Sequence, residues 1–140
     1  MADNKSDCKV CRGQCCRYFG VPIETPETPG DFDDVRWYLL HMGTEVYVED
    51  GDWYVNIKNK CKHLQPDSSC GVYSNRPRIC RQYSMNECEA ISDEYGHEHH
   101  FYNTEQLEAY ARGYLRAKRR QAQLKSLRRK ARQQQISRTA

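Results

Sequence analysis

Four of the eight cysteines lie within nine residues near the start of the chain, in the pattern C-x-x-C-x-x-x-C-C: Cys8, Cys11, Cys15 and Cys16. Thiolates two residues apart can face one ion from a tight turn, because the backbone between them folds back and its amides can bond the sulfurs. Side chains of adjacent residues diverge, so Cys15 and Cys16 are not expected to chelate the same mononuclear ion, and one of them would serve a second site or a multinuclear cluster. The pattern therefore indicates metal binding without selecting the metal.

The other four cysteines are spread over the middle of the chain: Cys61, Cys70, Cys80 and Cys88. Their spacings match no simple zinc finger or zinc ribbon. Together the eight thiols suffice for two four-cysteine sites, or for one such site with spare or redox-active thiols. A crossed arrangement, in which both sets share ions, would tie the start of the chain to its middle.

A disulfide framework is the structural alternative, because it too has an even number of cysteines. The N-terminal segment is polar and offers no secretory signal, and no apolar run in the sequence is long enough to span a membrane. We therefore expect a cytoplasmic protein without a membrane span. In a reducing compartment, clustered cysteines are more often metal ligands or redox groups than disulfides.

Histidines could add further ligands. His63 lies two residues after Cys61 and could replace a thiolate, or it could be a half-buried histidine beside the core. His97, His99 and His100 could form a separate metal site, but a polar segment with this composition is more often a solvated loop.

The elements that would position these residues belong to a small α+β domain. Helical spacing of apolar residues predicts a helix over 31–42, after a loop that ends at Gly30. Two β-branched and aromatic runs, 45–49 and 53–57, flank Asp-Gly-Asp and predict a β-hairpin. Ser74 or Asn75 could cap a short helix that carries Cys80.

We expect two parts: a cysteine-rich, metal-stapled domain over residues 1–103 and a long basic C-terminal helix over residues 104–140. The helix is expected to begin at Asn103 or Thr104 and to continue to about Arg132. Only 38% of the residues are hydrophobic, so the core is thin and a metal cross-link would support it.

Charge is divided sharply between the two ends of the chain. Residues 1–108 contain 11 basic residues and all 19 acidic ones, a formal charge of −8, whereas residues 109–140 contain 11 basic residues and no acid, a charge of +11. The basic segment 109–140 could bind nucleic acid, the ribosome or an acidic protein, or it could be an inert solvated tail. The candidate contact residues are Arg112, Arg116, Arg119, Arg120, Lys125, Arg128, Arg129 and Arg132.

Four sequence blocks resemble the YkgJ-type cysteine-cluster family, which is described as a zinc- or iron-chelating domain. They are the N-terminal C-x-x-C-x-x-x-C-C, then Cys61-Lys-His-Leu64, Cys70-Gly-Val-Tyr73 and Arg76-Pro77-x-x-Cys80-Arg81. The resemblance covers about residues 8–88 and implies seven metal-associated cysteines: Cys8, Cys11, Cys15, Cys16, Cys61, Cys70 and Cys80. Cys88 completes the ligand set that we predict, although it matches the family pattern less clearly.

Two functions remain open at this point. The first is binding of iron, including as an iron-sulfur cluster, or of Zn²⁺, with an accessory redox or metal-handling role. The second is a zinc-stabilised module that contacts a partner through its basic helix. The sequence contains no catalytic constellation, phosphate loop or dinucleotide fingerprint that we recognise, so a redox role is the enzymatic option.

Overall fold

A computed structural model describes residues 12–82 and 96–139, so Cys8, Cys11 and Cys88 lie outside the described residues. Within that part of the chain, a four-stranded antiparallel sheet has the order β1-β3-β2-β4. Its strands are β1 (Phe19–Ile23), β2 (Thr44–Glu49), β3 (Asp52–Ile57) and β4 (His99–Phe101). Three helices accompany it: α1 (Pro29–Leu39), α2 (Arg78–Gln82) and α3 (Thr104–Thr139). The predicted α+β class is confirmed.

The β2–β3 hairpin forms where the sequence predicts it. Asp50 and Gly51 connect the strands with φ values of 52° and 84°, the left-handed pair that a tight hairpin turn requires. The register places Val46 opposite Val55 and Val48 opposite Trp53. Because strand side chains alternate between faces, these four residues all point to the same side and are buried.

Helix α1 begins two residues earlier and ends three residues earlier than the sequence predicts. Thr28 caps it, since its hydroxyl accepts a hydrogen bond from the Asp31 amide while the Asp31 carboxylate accepts one from the Thr28 amide. Pro29 therefore occupies the first helical position and is not part of a loop. The bonds from the backbone of Glu27 and Thr28 hold the pKa of Asp31 below its ordinary value.

A hydrophobic core lies between the sheet and helices α1 and α3. Phe32 of α1 packs edge-on against Trp53 of the sheet and Tyr114 of α3. Leu107, only 1% exposed, and Ala111 bring the first turns of α3 into the same core. The start of α3 is thus part of the body of the protein.

Strand β4 and the far end of α3 differ from the sequence predictions. The polar segment that contains His97, His99 and His100 is predicted as a solvated loop, but His99–Phe101 pairs with β2 and buries Phe101. Asn103 caps α3 through a bond from the Gln106 amide at 3.0 Å, as expected. The helix then continues past Arg132 to Thr139, because no proline or glycine interrupts that stretch.

Candidate metal centre

The register of β1 and β3 brings two distant cysteines to one end of the sheet. Phe19 pairs with Ile57, so the chain just before β1 and the chain just after β3 leave the sheet side by side. Cys16 precedes β1 and Cys61 follows β3, and the Cys61 amide donates a hydrogen bond to the Cys16 carbonyl at 2.7 Å. A member of the N-terminal cysteine set therefore lies next to a member of the later set.

A tight turn holds Cys15 and Cys16 at this end. Arg12 and Gly13 have φ values of 54° and 61°, and a single 3₁₀ turn over Gln14–Cys16 follows. The Cys16 amide closes the turn on the Gly13 carbonyl at 3.0 Å. Cys15 is exposed and Cys16 is half-buried.

Gly13 is a structural residue of this turn that the sequence analysis did not identify. A Cβ atom at this position would lie 2.7 Å from Leu64 Cδ1 and 3.4 Å from the Ser68 carbonyl oxygen. The two cysteine-bearing segments approach each other so closely here that only glycine fits without displacement. The sequence signal for this role is the glycine between the second and third cysteines of the N-terminal pattern.

The second cysteine-bearing segment is a compact loop that returns on itself. The Leu64 amide bonds to the Cys61 carbonyl at 3.2 Å, and Leu64 and Cys70 form an isolated antiparallel bridge. The Gly71 amide then bonds to the His63 carbonyl at 2.8 Å. Cys61 and Cys70 are thereby held at the two ends of one closed loop, with Leu64 buried inside it.

The Cys61 sulfur already accepts one backbone hydrogen bond. The His63 amide lies 3.5 Å from Cys61 Sγ. Amide-to-sulfur bonds of this kind stabilise a thiolate and orient it toward a metal. The His63 side chain itself is exposed, so the half-buried position suggested from the sequence is wrong.

Cys80 lies on the short helix α2, as predicted, and is exposed. The expected cap at Ser74 or Asn75 is wrong, because Tyr73–Asn75 forms a separate 3₁₀ turn and α2 starts after Pro77. The Arg81 amide donates a hydrogen bond to the Pro77 carbonyl at 3.2 Å. Proline forces extended backbone on the residue before it, which explains the break.

The donor set suits a soft or borderline metal. Cys61, Cys70 and Cys80 are free cysteines, and thiolates are ligands that both zinc and iron accept. Across residues 12–82 and 96–139, no three His, Cys, Asp or Glu side chains are grouped closely enough to hold a metal ion. Three of the eight thiols of the predicted set lie outside those ranges.

The later histidines are occupied by packing and by an ion pair. His99 stacks on Phe101 and contacts Tyr110, with ring centroids 6.1 Å and 4.8 Å away. His100 Nε2 lies 3.0 Å from Glu45 Oε2, and Lys58 pairs with the other oxygen of the same carboxylate. Burial alone would raise the pKa of Glu45, but the hydrogen bonds from Lys58 and His100 outweigh it and lower that pKa.

Helix α3 carries the predicted basic residues away from the core. Lys118 donates to the Glu27 carboxylate at 3.0 Å and to the Glu27 carbonyl at 3.1 Å, and the bond to the carboxylate raises the pKa of Lys118. Every described residue from Arg116 onward is exposed. No helix in the described ranges has both the length and the apolar character needed to cross a bilayer.

The chain matches one family model over residues 7–112, which contain all eight cysteines and the whole sheet. Comparison with curated proteins and with solved structures finds no match. The matched family, CxxCxxCC, carries the description "Putative zinc- or iron-chelating domain". The matched range covers more than half of the sequence, so the chain belongs to this family of zinc- or iron-chelating domains.

Proposed function

We propose that this chain binds iron through its two cysteine sets, as a mononuclear site or an iron-sulfur cluster, and has an accessory redox or metal-handling role. The proposed ligands are the eight cysteines: Cys8, Cys11, Cys15, Cys16, Cys61, Cys70, Cys80 and Cys88. Zn²⁺ is the competing metal, since the family description names both zinc and iron.

The observation that carries the proposal is the hydrogen bond between the Cys61 amide and the Cys16 carbonyl, at 2.7 Å. It joins two cysteines that are 45 residues apart in the sequence. Such a link supports the crossed arrangement, in which thiolates from both sets surround shared ions. Ligands from distant segments also make metal binding and folding mutually dependent.

The different exposure of Cys15 and Cys16 favours iron over a single tetrahedral zinc ion. Cys15 is exposed and Cys16 is half-buried, which supports thiols that point in different directions. A multinuclear iron-sulfur core accepts ligands from several directions, whereas one zinc ion accepts four at tetrahedral angles.

The protein and the metal have separate tasks in this proposal. An iron centre, when bound, would supply reversible one-electron transfer, whereas zinc closed by four thiolates would supply a structural cross-link. The chain's own contribution is to hold Cys61 and Cys70 at the ends of one loop and to orient the Cys61 sulfur through the His63 amide.

Metal analysis of anaerobically purified protein, combined with an absorption spectrum, tests the proposal. We expect iron in the protein and visible absorption that dithionite bleaches if a redox cluster is present. Cys61→Ser should lower the metal content, while His63→Gln, which changes only an exposed neighbour, should retain it. A colourless protein that contains only zinc would contradict the iron assignment and leave chelation intact.

The charge distribution favours a second candidate function, in which the metal-stapled domain presents α3 to a partner. Residues 109–140 contain 11 basic residues and no acid, and α3 extends that segment into solvent. The partner in this candidate is nucleic acid, the ribosome or an acidic protein. A deletion used to test it must begin beyond Lys118, because Ala111 and Lys118 contact the body of the protein.

A further inference from the structure

We infer that the basic arm, defined as residues 112–139 of α3, binds the phosphodiester backbone of nucleic acid. This inference rests on the second candidate function and names its partner. The arm contains all 11 basic residues of the C-terminal segment, and its chemistry, shape and exposure each favour a continuous array of phosphates.

Most of the basic arm projects beyond the body of the protein. Tyr114 and Leu115 are the last residues packed against the core, and the Lys118–Glu27 pair is the last described contact with the body. The helix then continues for 21 residues, from Arg119 to Thr139, or about 32 Å at 1.5 Å per residue. That length can follow several successive phosphates.

Beyond Arg112, which lies four residues after Glu108, the cations of the basic arm have no acidic residue within two turns on their own helix. No Asp or Glu follows Glu108, and Arg116, Arg120, Lys125 and Arg129 include two like-charged pairs four residues apart. Such pairs repel one another and destabilise an isolated helix. A polyanion that lies along the arm would relieve this repulsion.

Arginine dominates the basic arm, with eight arginines and three lysines. The planar guanidinium binds phosphate with two parallel hydrogen bonds, whereas the ammonium of lysine acts as a point charge. Four of these arginines, Arg112, Arg116, Arg119 and Arg120, line one open depression on the surface of the helix. The arm thus offers a concentrated anion-binding face close to the body of the protein.

Cations also lie on opposite sides of the helix. Arg116 and Lys125 are nine residues apart, as are Arg120 and Arg129, and nine residues correspond to half a rotation beyond two full turns. A helix about 10–12 Å across fits the major groove of duplex DNA, where the phosphate backbones of the two DNA strands lie on either side of the helix. This distribution favours a duplex over a flat acidic surface.

The apolar residues of the basic arm do not form a protein-binding stripe. Leu124, Leu127 and Ile136 are 48%, 62% and 61% exposed. Leu124 and Leu127 are three residues apart and share one face, whereas Ile136 is nine residues beyond Leu127 and lies on the opposite face. Protein interfaces have an apolar core, and a helix that inserts into a membrane surface needs one apolar face. Two leucines on one face are too few for either.

Fluorescence anisotropy with the full-length, metal-loaded protein tests the inference. The probes are labelled DNA duplex, RNA duplex and single-stranded RNA of about 20 nucleotides, titrated at about 50–300 mM salt. If six to eight arm cations contact phosphates, the slope of log K against log salt should be about −5 to −7 for duplex DNA. The three probes show which nucleic acid is preferred.

Three double variants, each of which removes two positive charges, locate the contact. Arg116→Gln with Arg120→Gln, and Arg129→Gln with Arg132→Gln, should each make the slope shallower by about 2 units and weaken binding several-fold. The matched control, Arg36→Gln with Arg78→Gln, removes two cations of the body, the half-buried Arg36 that pairs with Asp33 and the exposed Arg78, and should leave both values unchanged. Equal weakening by all three variants would overturn the inference, because net charge alone would then explain binding.

Two competitors test the partner class. Polyglutamate of equal charge, or vesicles of phosphatidylserine and phosphatidylcholine, should displace the nucleic acid poorly. If either competes as well as unlabelled duplex, the assignment to nucleic acid is wrong. Metal content measured on the same samples keeps this result separate from the proposed function, because the arm variants should retain all of their metal.

Discussion

Replacement of Gly13 by alanine should weaken both folding and metal binding, because this residue allows the two cysteine-bearing segments to meet. Its φ of 61° lies in the left-handed region, where a residue with a Cβ atom costs roughly 1–2 kcal/mol. The new Cβ would also lie 2.7 Å from Leu64 Cδ1. Overpacking of a buried contact costs about 1–2 kcal/mol when, as at this leucine terminus, a methyl group can rotate away.

The two contributions can be separated with Gly51→Ala as a matched control. Gly51 has a φ of 84°, and a Cβ atom there would meet nothing within 4 Å. Gly51→Ala should therefore lower the free energy of unfolding by about 1–2 kcal/mol, and Gly13→Ala by about 2–4 kcal/mol. Only Gly13→Ala pushes the segment of Cys15 and Cys16 away from the loop of Cys61 and Cys70.

Denaturant unfolding and competition with a metal chelator give the two readouts. If the contact cost of about 1–2 kcal/mol opposes metal binding in full, Gly13→Ala should bind the metal about 5- to 30-fold more weakly than the wild type. Gly51→Ala should leave the metal affinity unchanged. Equal loss of stability and unchanged metal affinity in both variants would refute the claim that these segments form one site.

Further variants test the fold and the extent of the domain. Leu107→Ala should lower the free energy of unfolding by about 2–5 kcal/mol, because this side chain is 1% exposed. Deletion of residues 122–140 should change the free energy of unfolding by less than about 1 kcal/mol. Similar effects of the two changes on denaturant unfolding would place the domain boundary elsewhere. Glu45→Gln should cost about 1–2 kcal/mol at pH 7, since it weakens the bonds from Lys58 and His100. The folded-state pKa of Glu45 is lowered from 4.5, so its stabilisation is present above that value and is lost as the pH falls through the folded-state pKa. The unfolding free energies of the wild type and the variant should therefore converge in acid, where metal loss affects both proteins alike. A difference that stays constant down to pH 2 would show that the Glu45 carboxylate does not stabilise the fold through these bonds.

Local chemistry made the central elements predictable from the sequence. The hairpin follows from Asp50-Gly51 between two runs that alternate toward the core, and the start of α3 follows from the cap at Asn103. The first helix was placed correctly, but its start was missed because Pro29 and Gly30 suggest a loop. Thr28 and Asp31 reverse that preference by satisfying the free amides of the first turn.

Long-range pairing explains what the sequence could not provide. Strand β4 is three residues long and carries two histidines, so only its pairing with β2 identifies it as a strand. The proximity of Cys16 and Cys61 likewise depends on the register Phe19–Ile57. No local pattern encodes that register, although the resemblance of the cysteine blocks to a chelating family identified the correct family.

Native mass spectrometry with elemental analysis, applied to protein purified without oxygen, is the most direct test of a metal held by both cysteine sets. We expect a bound metal in the wild-type protein, and its loss when either Cys16 or Cys61 is replaced by serine. A protein that has the bare polypeptide mass, and that stays folded in the presence of a chelator, would contradict the account.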